Sequence, residues 1–109
     1  MENGLLQDLD KNIPVGVSIC DTKGNFLRVH DFFKEIFNND NLKSVNDEKK
    51  LKDLFNSTDD YISFYIKQRI NCRYYRLYKN LIDDYVIFIL SDITFLTSNT
   101  QNIKFLNTL

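Results

Sequence analysis

The sequence predicts an α+β domain with five strands and a few short helices, and three observations carry that reading. Runs rich in β-branched and aromatic residues fall at 15–21 and 25–30, then again at 61–70, 72–82 and 84–92. Between these two groups, residues 31–37 and 47–55 space their apolar side chains as helices do. The order is therefore a hairpin, two helices and three further strands, without the strand–helix alternation that builds a parallel sheet.

Each element has its own justification. Leu5, Leu6 and Leu9 form one apolar stripe on a short helix within residues 2–11, and Pro14 starts a new element. VGVSICD (15–21) alternates as a strand, and NFLRVH (25–30) returns after a tight turn at TKG (22–24). Asp21 precedes that turn, and Gly24 supplies a residue free to adopt positive φ. DFFKEIF (31–37) puts Phe33, Ile36 and Phe37 on one helical face, with Asp31 as the expected N-cap. NNDN (38–41) breaks this helix. DEKKLKDLF (47–55) forms the next, with Leu51, Leu54 and Phe55 inward and Asp47 and Glu48 at its positive end. YISFYIKQRI (61–70) alternates with Ile62, Phe64, Ile66 and Ile70 on one side. CRYYRLYKNLI (72–82) follows a turn near Asn71, and DYVIFILSD (84–92) follows a second turn at Asp83–Asp84. The last run is apolar on both faces, which suits a central strand. Residues 93–109 read as a helix, with Leu96, Ile103 and Leu106 at spacing resembling a heptad.

The organisation is one domain of 109 residues: an N-terminal helix (1–12), a core (14–94) and a C-terminal linker helix (95–109). A content of 43% hydrophobic and 14% aromatic residues is enough to bury a core. The net charge of -1 gives no global reason to bind nucleic acid or an anionic membrane. There is no apolar run of the roughly 18 residues a membrane span needs, and the polar start MENGLLQDLDKN is not a signal peptide. Two cysteines, Cys20 and Cys72, with a single histidine, His30, make neither a disulfide framework nor a metal cluster. A cytoplasmic location with reduced thiols and no metal is the expectation.

In this order the residues resemble a PAS domain. The resemblance rests on IPVGVSICDTKGNFLRV (13–29) as the first hairpin, DFFKEIF as the first helix, CRYYRLYKNLIDD (72–84) as a strand and turn, and the terminal SDIT (91–94). It spans residues 5 to about 96. It implies a five-stranded antiparallel sheet in the order 2-1-5-4-3, with short helices on one face holding a small ligand pocket, and flanking N- and C-terminal helices. It implies a homodimer, with Leu5, Leu6, Leu9, Leu96, Ile103 and Leu106 at the interface. It further implies a signal relayed through Asp92 and Thr94 to a C-terminal effector such as a histidine kinase or cyclase.

NCRYYR (71–76) resembles the photoreactive motif of flavin-binding members of that family, but its position argues against that chemistry. The reactive Cys of those proteins sits on a helix, with another helix and three strands still to come, about 35 residues or more at typical lengths. Only residues 73–91 separate Cys72 from Asp92, and they hold two strands and a turn. Cys72 is thus expected at a hairpin, and flavin is not expected. His30 precedes the first helix, where it reads as a strand-end or helix-capping residue, so haem is not expected either. No Gly-rich phosphate loop and no acid/base pair can be named, so the chain is read as non-enzymatic.

Alternation groups Val17, Ile19, Tyr75, Leu77, Ile87 and Ile89 on one sheet face. It groups Ser18, Cys20, Tyr74, Arg76, Tyr78, Val86, Phe88 and Leu90 on the other. Simple burial would turn the first face toward the helices; the resemblance turns the second, and we follow the resemblance. The expected pocket is then lined by Ser18, Cys20, Phe33, Tyr74, Arg76, Tyr78 and Phe88. An inward Arg76 would need a carboxylate or an anionic ligand, so the expected ligand is a small organic molecule of anionic character. Arg73, on the opposite face, would take no part. The resulting expectation is a sensory or regulatory module that binds a small ligand, dimerises and signals to an effector, without nucleic-acid or membrane contact. Alternatives are a ligand-free dimerisation domain, a small enzyme, or a single-stranded RNA binder using the aromatic and basic stretch RYYRLYK (73–79).

Overall fold

The computed structural model describes residues 14–67, 69 and 71–94. The expected terminal helices, and with them Leu5, Leu6, Leu9, Leu96, Ile103 and Leu106, lie outside the described residues. Five strands, β1 (Val15–Asp21), β2 (Phe26–Arg28), β3 (Tyr61–Lys67), β4 (Cys72–Ile82) and β5 (Tyr85–Asp92), form one antiparallel sheet in the order β2-β1-β5-β4-β3. The order is the expected one, and β5, apolar on both faces, is central. The helices α1 (Asp31–Ile36) and α2 (Lys49–Asn56), with a 3-10 turn at Val45–Asp47, connect β2 to β3.

Local chemistry explains the boundaries. Asp21 Oδ1 accepts from the backbone N–H groups of Lys23 and Asn25, both at 2.9 Å, and Gly24 adopts φ 90°, which closes the β1–β2 hairpin. The α1 cap is His30 rather than the expected Asp31. His30 is extended (φ -73°, ψ 142°), and its Nδ1 accepts from Phe32 N at 3.0 Å. Asp31 becomes the first helical residue, where its charge suits the positive end. The second helix begins later than expected because Ser44 and Asp47 form a reciprocal capping box around the 3-10 turn. Glu48 then turns extended and caps α2 by accepting from Lys50 N at 2.8 Å. At the far end, Lys79 Nζ on β4 donates to the carbonyls of Leu54 (2.8 Å) and Ser57 (2.6 Å), so a cation meets the negative helix terminus.

The core lies between the sheet and the helices. Leu51 and Leu54 of α2 and Phe33 of α1 are fully buried against Leu77, Phe88 and Leu90, each worth about 1.5–3 kcal/mol of transfer free energy. On β1 and β5 the inward residues are those the resemblance implied: Ser18, Cys20, Val86, Phe88 and Leu90. On β4 the expectation is corrected. Tyr75 and Leu77 point inward, at 4% and 0% exposure, and Tyr74, Arg76 and Tyr78 point outward. The cause is register. The β4–β5 turn has two residues, so Ile82 opposes Tyr85 and Leu77 opposes Leu90, while Arg76 opposes Ser91. Opposed residues share a face, and Leu90 faces in.

The inward side of β1 is unusually small: Gly16, Ser18 and Cys20. A Cβ on Gly16 would come within 2.9 Å of His30 Nδ1 and 3.0 Å of Phe32 Cβ, so the start of α1 lies almost on the strand. Ser18 Oγ accepts from His30 N at 3.0 Å and fixes the chain as it leaves β2 for α1. This is why the β-branched Val15, Val17 and Ile19 are left on the outer face.

Candidate functional site: a charged cavity at the end of the sheet

The β4 register brings together residues that are far apart in sequence. Tyr75 opposes Asp92, and Arg73 opposes Ile66, all on the inward side. Facing them is the exposed flank of α1, carrying Phe32, Glu35 and Ile36, followed by Asn38, whose φ of 50° ends the helix. With Pro14 these residues line a cavity of about 420 Å³, within the size range of small-molecule sites. Apolar and aromatic walls come from Phe32, Ile36, Ile66 and Tyr75, with the Phe32 and Tyr75 rings edge-on at 6.3 Å. Polar groups come from Glu35, Asn38, Arg73 and Asp92.

Asp92 is only 5% exposed and is heavily engaged. Its Oδ2 accepts from Arg73 Nη2 at 2.5 Å, and its Oδ1 accepts from Thr94 N at 2.9 Å. Burial pushes the carboxyl up, but hydrogen bonds from Thr94 and the Arg73 guanidinium outweigh it and hold the group below the usual carboxylate range. Burial pushes the Tyr75 hydroxyl up, and the Asp92 charge adds to that while Arg73 opposes it. The Tyr75 ring is therefore a neutral wall at physiological pH. The same corner holds the strand end: Asp92 N donates to Pro14 O (3.0 Å), Ile93 N to Tyr74 O (2.8 Å), and Tyr74 N to Thr94 Oγ1 (2.9 Å).

The expected pocket residues are thus redistributed. Ser18, Cys20, Phe33 and Phe88 are fully buried and pack into the core, and they do not line this cavity. Burial, followed by the neighbouring Asp21, pushes the Cys20 thiol up to about 11, so it stays protonated. Tyr74, Arg76 and Tyr78 stand on the outer face. There Arg76 Nε donates to Ser63 Oγ (3.1 Å), and its guanidinium lies 4.8 Å from the Tyr61 ring centre. The expectation that Arg76 anchors a ligand inside the domain is therefore wrong, and the inward arginine at the cavity is Arg73. Asp92 and Thr94, expected at the strand end, are there. Cys72 is the first residue of β4, opposite Lys67 in the β3–β4 hairpin, as its position in the sequence required. Arg73, Tyr75, Glu35 and Phe32 were not among the expected site residues.

Among the described residues no group of His, Cys, Asp or Glu is placed to hold a metal ion, and no helix is long and apolar enough to cross a membrane. No family model, curated protein or solved structure matches the chain.

Proposed function

We propose that the chain is a PAS-type sensory or regulatory module. A small molecule in the cavity biases the strand end at Asp92–Thr94, and through it whatever effector follows in the cytoplasmic protein. One observation carries the reading: the cavity wall and the strand-end junction are built from the same residues. Arg73, Tyr75 and Asp92 line the cavity, and Asp92 also bonds Pro14 and Thr94, the outermost residues of the described body. Any occupant of the cavity therefore changes the surroundings of the Arg73–Asp92 pair, by contact with its wall or by the charge it brings there. Such coupling needs only a differential affinity for two arrangements of that corner. The strand order β2-β1-β5-β4-β3 supports the family reading. The test is native mass spectrometry of the purified protein, followed by hydrogen exchange at residues 73–75 and 92–94 with and without any small molecule found. Protein without a bound molecule, and with exchange at 92–94 insensitive to every compound that binds the cavity, would refute it.

A second reading, ligand-free dimerisation, is favoured by the outer sheet face. Val15 and Val17 are 41% and 40% exposed there, beside the half-buried Ile19, Ile87 and Ile89. Sedimentation of the full chain and of a Val17→Lys variant tests it: a dimer that becomes monomeric supports this reading, and a monomer at every concentration removes it.

A further inference from the structure

We infer that the cavity beside Glu35 selects a small amphipathic cation, with its ammonium at Glu35 and its apolar body along Phe32, Ile36 and Ile66. The inference rests on the reading of this cavity as a small-molecule site and adds the ligand's charge class. Three charged side chains line the space: Glu35, Arg73 and Asp92. One guanidinium against two carboxylates leaves one negative charge. Its location is also determined. Arg73 and Asp92 are paired at 2.5 Å, so each offsets the other's charge. Among the described residues no ion pair involves Glu35, whose nearest helical cation, Lys34, approaches Asp31 instead at 3.8 Å. The uncompensated charge therefore sits on α1, across the cavity from the pair.

An anionic ligand meets the opposite situation. The cation open to it is Arg73, whose charge is already offset by a carboxylate that is 5% exposed. Withdrawing Arg73 would leave Asp92 buried without its counter-charge, which is among the costly events in a protein interior. A cation disturbs nothing already paired. Phe32 and Tyr75 add aromatic surface to the cavity wall, a surface that attracts a cation wherever a ring face is open to it. Tyr75 adds no second negative charge beside Glu35, since burial pushes its hydroxyl up from an already high value. Asn38 offers a side-chain carbonyl on the same flank as Glu35. The apolar residues on the remaining wall require a hydrophobic body, which excludes a bare inorganic cation as the best-fitting occupant.

Three probes of one shape and different charge test this: 2-phenylethylammonium, 2-phenylethanol and 3-phenylpropionate. Each is titrated into the full chain while the amide signals of Phe32, Glu35, Tyr75 and Asp92 are followed by NMR. The ammonium is expected to bind about tenfold or more tighter than the carboxylate, a difference of about 1.4 kcal/mol, with the alcohol between them. Glu35→Gln, an exposed helix position, is expected to abolish the preference and leave alcohol binding unchanged; Glu35→Lys is expected to reverse it. Carboxylate binding equal to or tighter than ammonium binding overturns the charge class while the small-molecule site stands. So does a preference that survives Glu35→Gln. If no probe shifts the signals at millimolar concentration, both the charge class and the site are overturned.

Discussion

Replacing Arg73 by Met keeps a long apolar stem on β4 but removes the guanidinium from Asp92. Breaking a fully buried pair by deleting one partner costs about 3–5 kcal/mol, whereas an exposed pair is worth about 0–1 kcal/mol. This pair lies between those limits, because the Asp92 side chain is 5% exposed and that of Arg73 is 41% exposed. The backbone N–H of Thr94 still supports the carboxylate after the change. A loss of about 2 kcal/mol at pH 7 follows, or roughly 8–15 °C in Tm for a domain of this size. Asp92→Asn should cost about 1–2 kcal/mol, and the double variant should cost less than the two single changes together, since each leaves the other group unpaired. The pH dependence gives a sharper check. In the wild-type chain the Asp92 carboxyl is held low. Its contribution is therefore present above the unfolded value near ~3.9 and lost as pH falls through the folded one. Without Arg73 only Thr94 opposes burial, so the carboxyl is held less low. The wild-type chain then loses more stability than the variant as pH falls through the carboxylate range, and the deficit shrinks. Urea unfolding at pH 7 and at about pH 3 measures this. An additive double-mutant cycle, or a deficit that does not change with pH, would refute the argument.

The remaining predictions concern other positions. Cys20, buried and with its thiol pushed up to about 11, should resist alkylation in the folded protein at pH 8, while the half-buried Cys72 reacts; timed labelling read by mass spectrometry distinguishes them. Gly16→Ala should cost about 1–3 kcal/mol by thermal unfolding, since the added methyl meets His30 and Phe32 at about 3 Å. Arg76→Ala should leave binding in the cavity unchanged and shift stability by no more than about 1 kcal/mol, because it loses only its contacts with Ser63 and Tyr61 on the outer face.

Strand positions, the three hairpins and the central place of β5 were legible because β-branched runs and turn residues act locally. The choice of inward side on β1 was legible only through family resemblance. By hydrophobicity alone Ser18 and Cys20 look like outer residues, and their burial follows from the close approach of α1, a tertiary fact. The error at β4 was avoidable. A two-residue turn at Asp83–Asp84 sets Leu77 opposite Leu90 and Tyr75 opposite Asp92 by counting alone. That count would have turned Arg73 inward and Arg76 outward. Alternation within a strand separates two sets of side chains, but only register decides which set joins a neighbour's. Glu35 could not have been found this way. It belongs to the solvent-facing side of α1, and only the end of the sheet beneath it makes that side a cavity wall.

The bond from Asp92 N to Pro14 O has a mechanical meaning. The described body is entered at the start of β1 and left at the end of β5, and these antiparallel neighbours bring both points to the same end of the sheet, with Val15 opposite Ser91. Tension applied through the two flanking segments would act across that ladder and not along it. It would load the Val15–Ser91 end first and open the seam one rung at a time, as a zipper opens, where a pull along the strands would have to break many rungs together. The weakest direction of the domain therefore runs through the corner that holds Arg73 and Asp92, and a pull of this kind would reach the cavity before it reached the core.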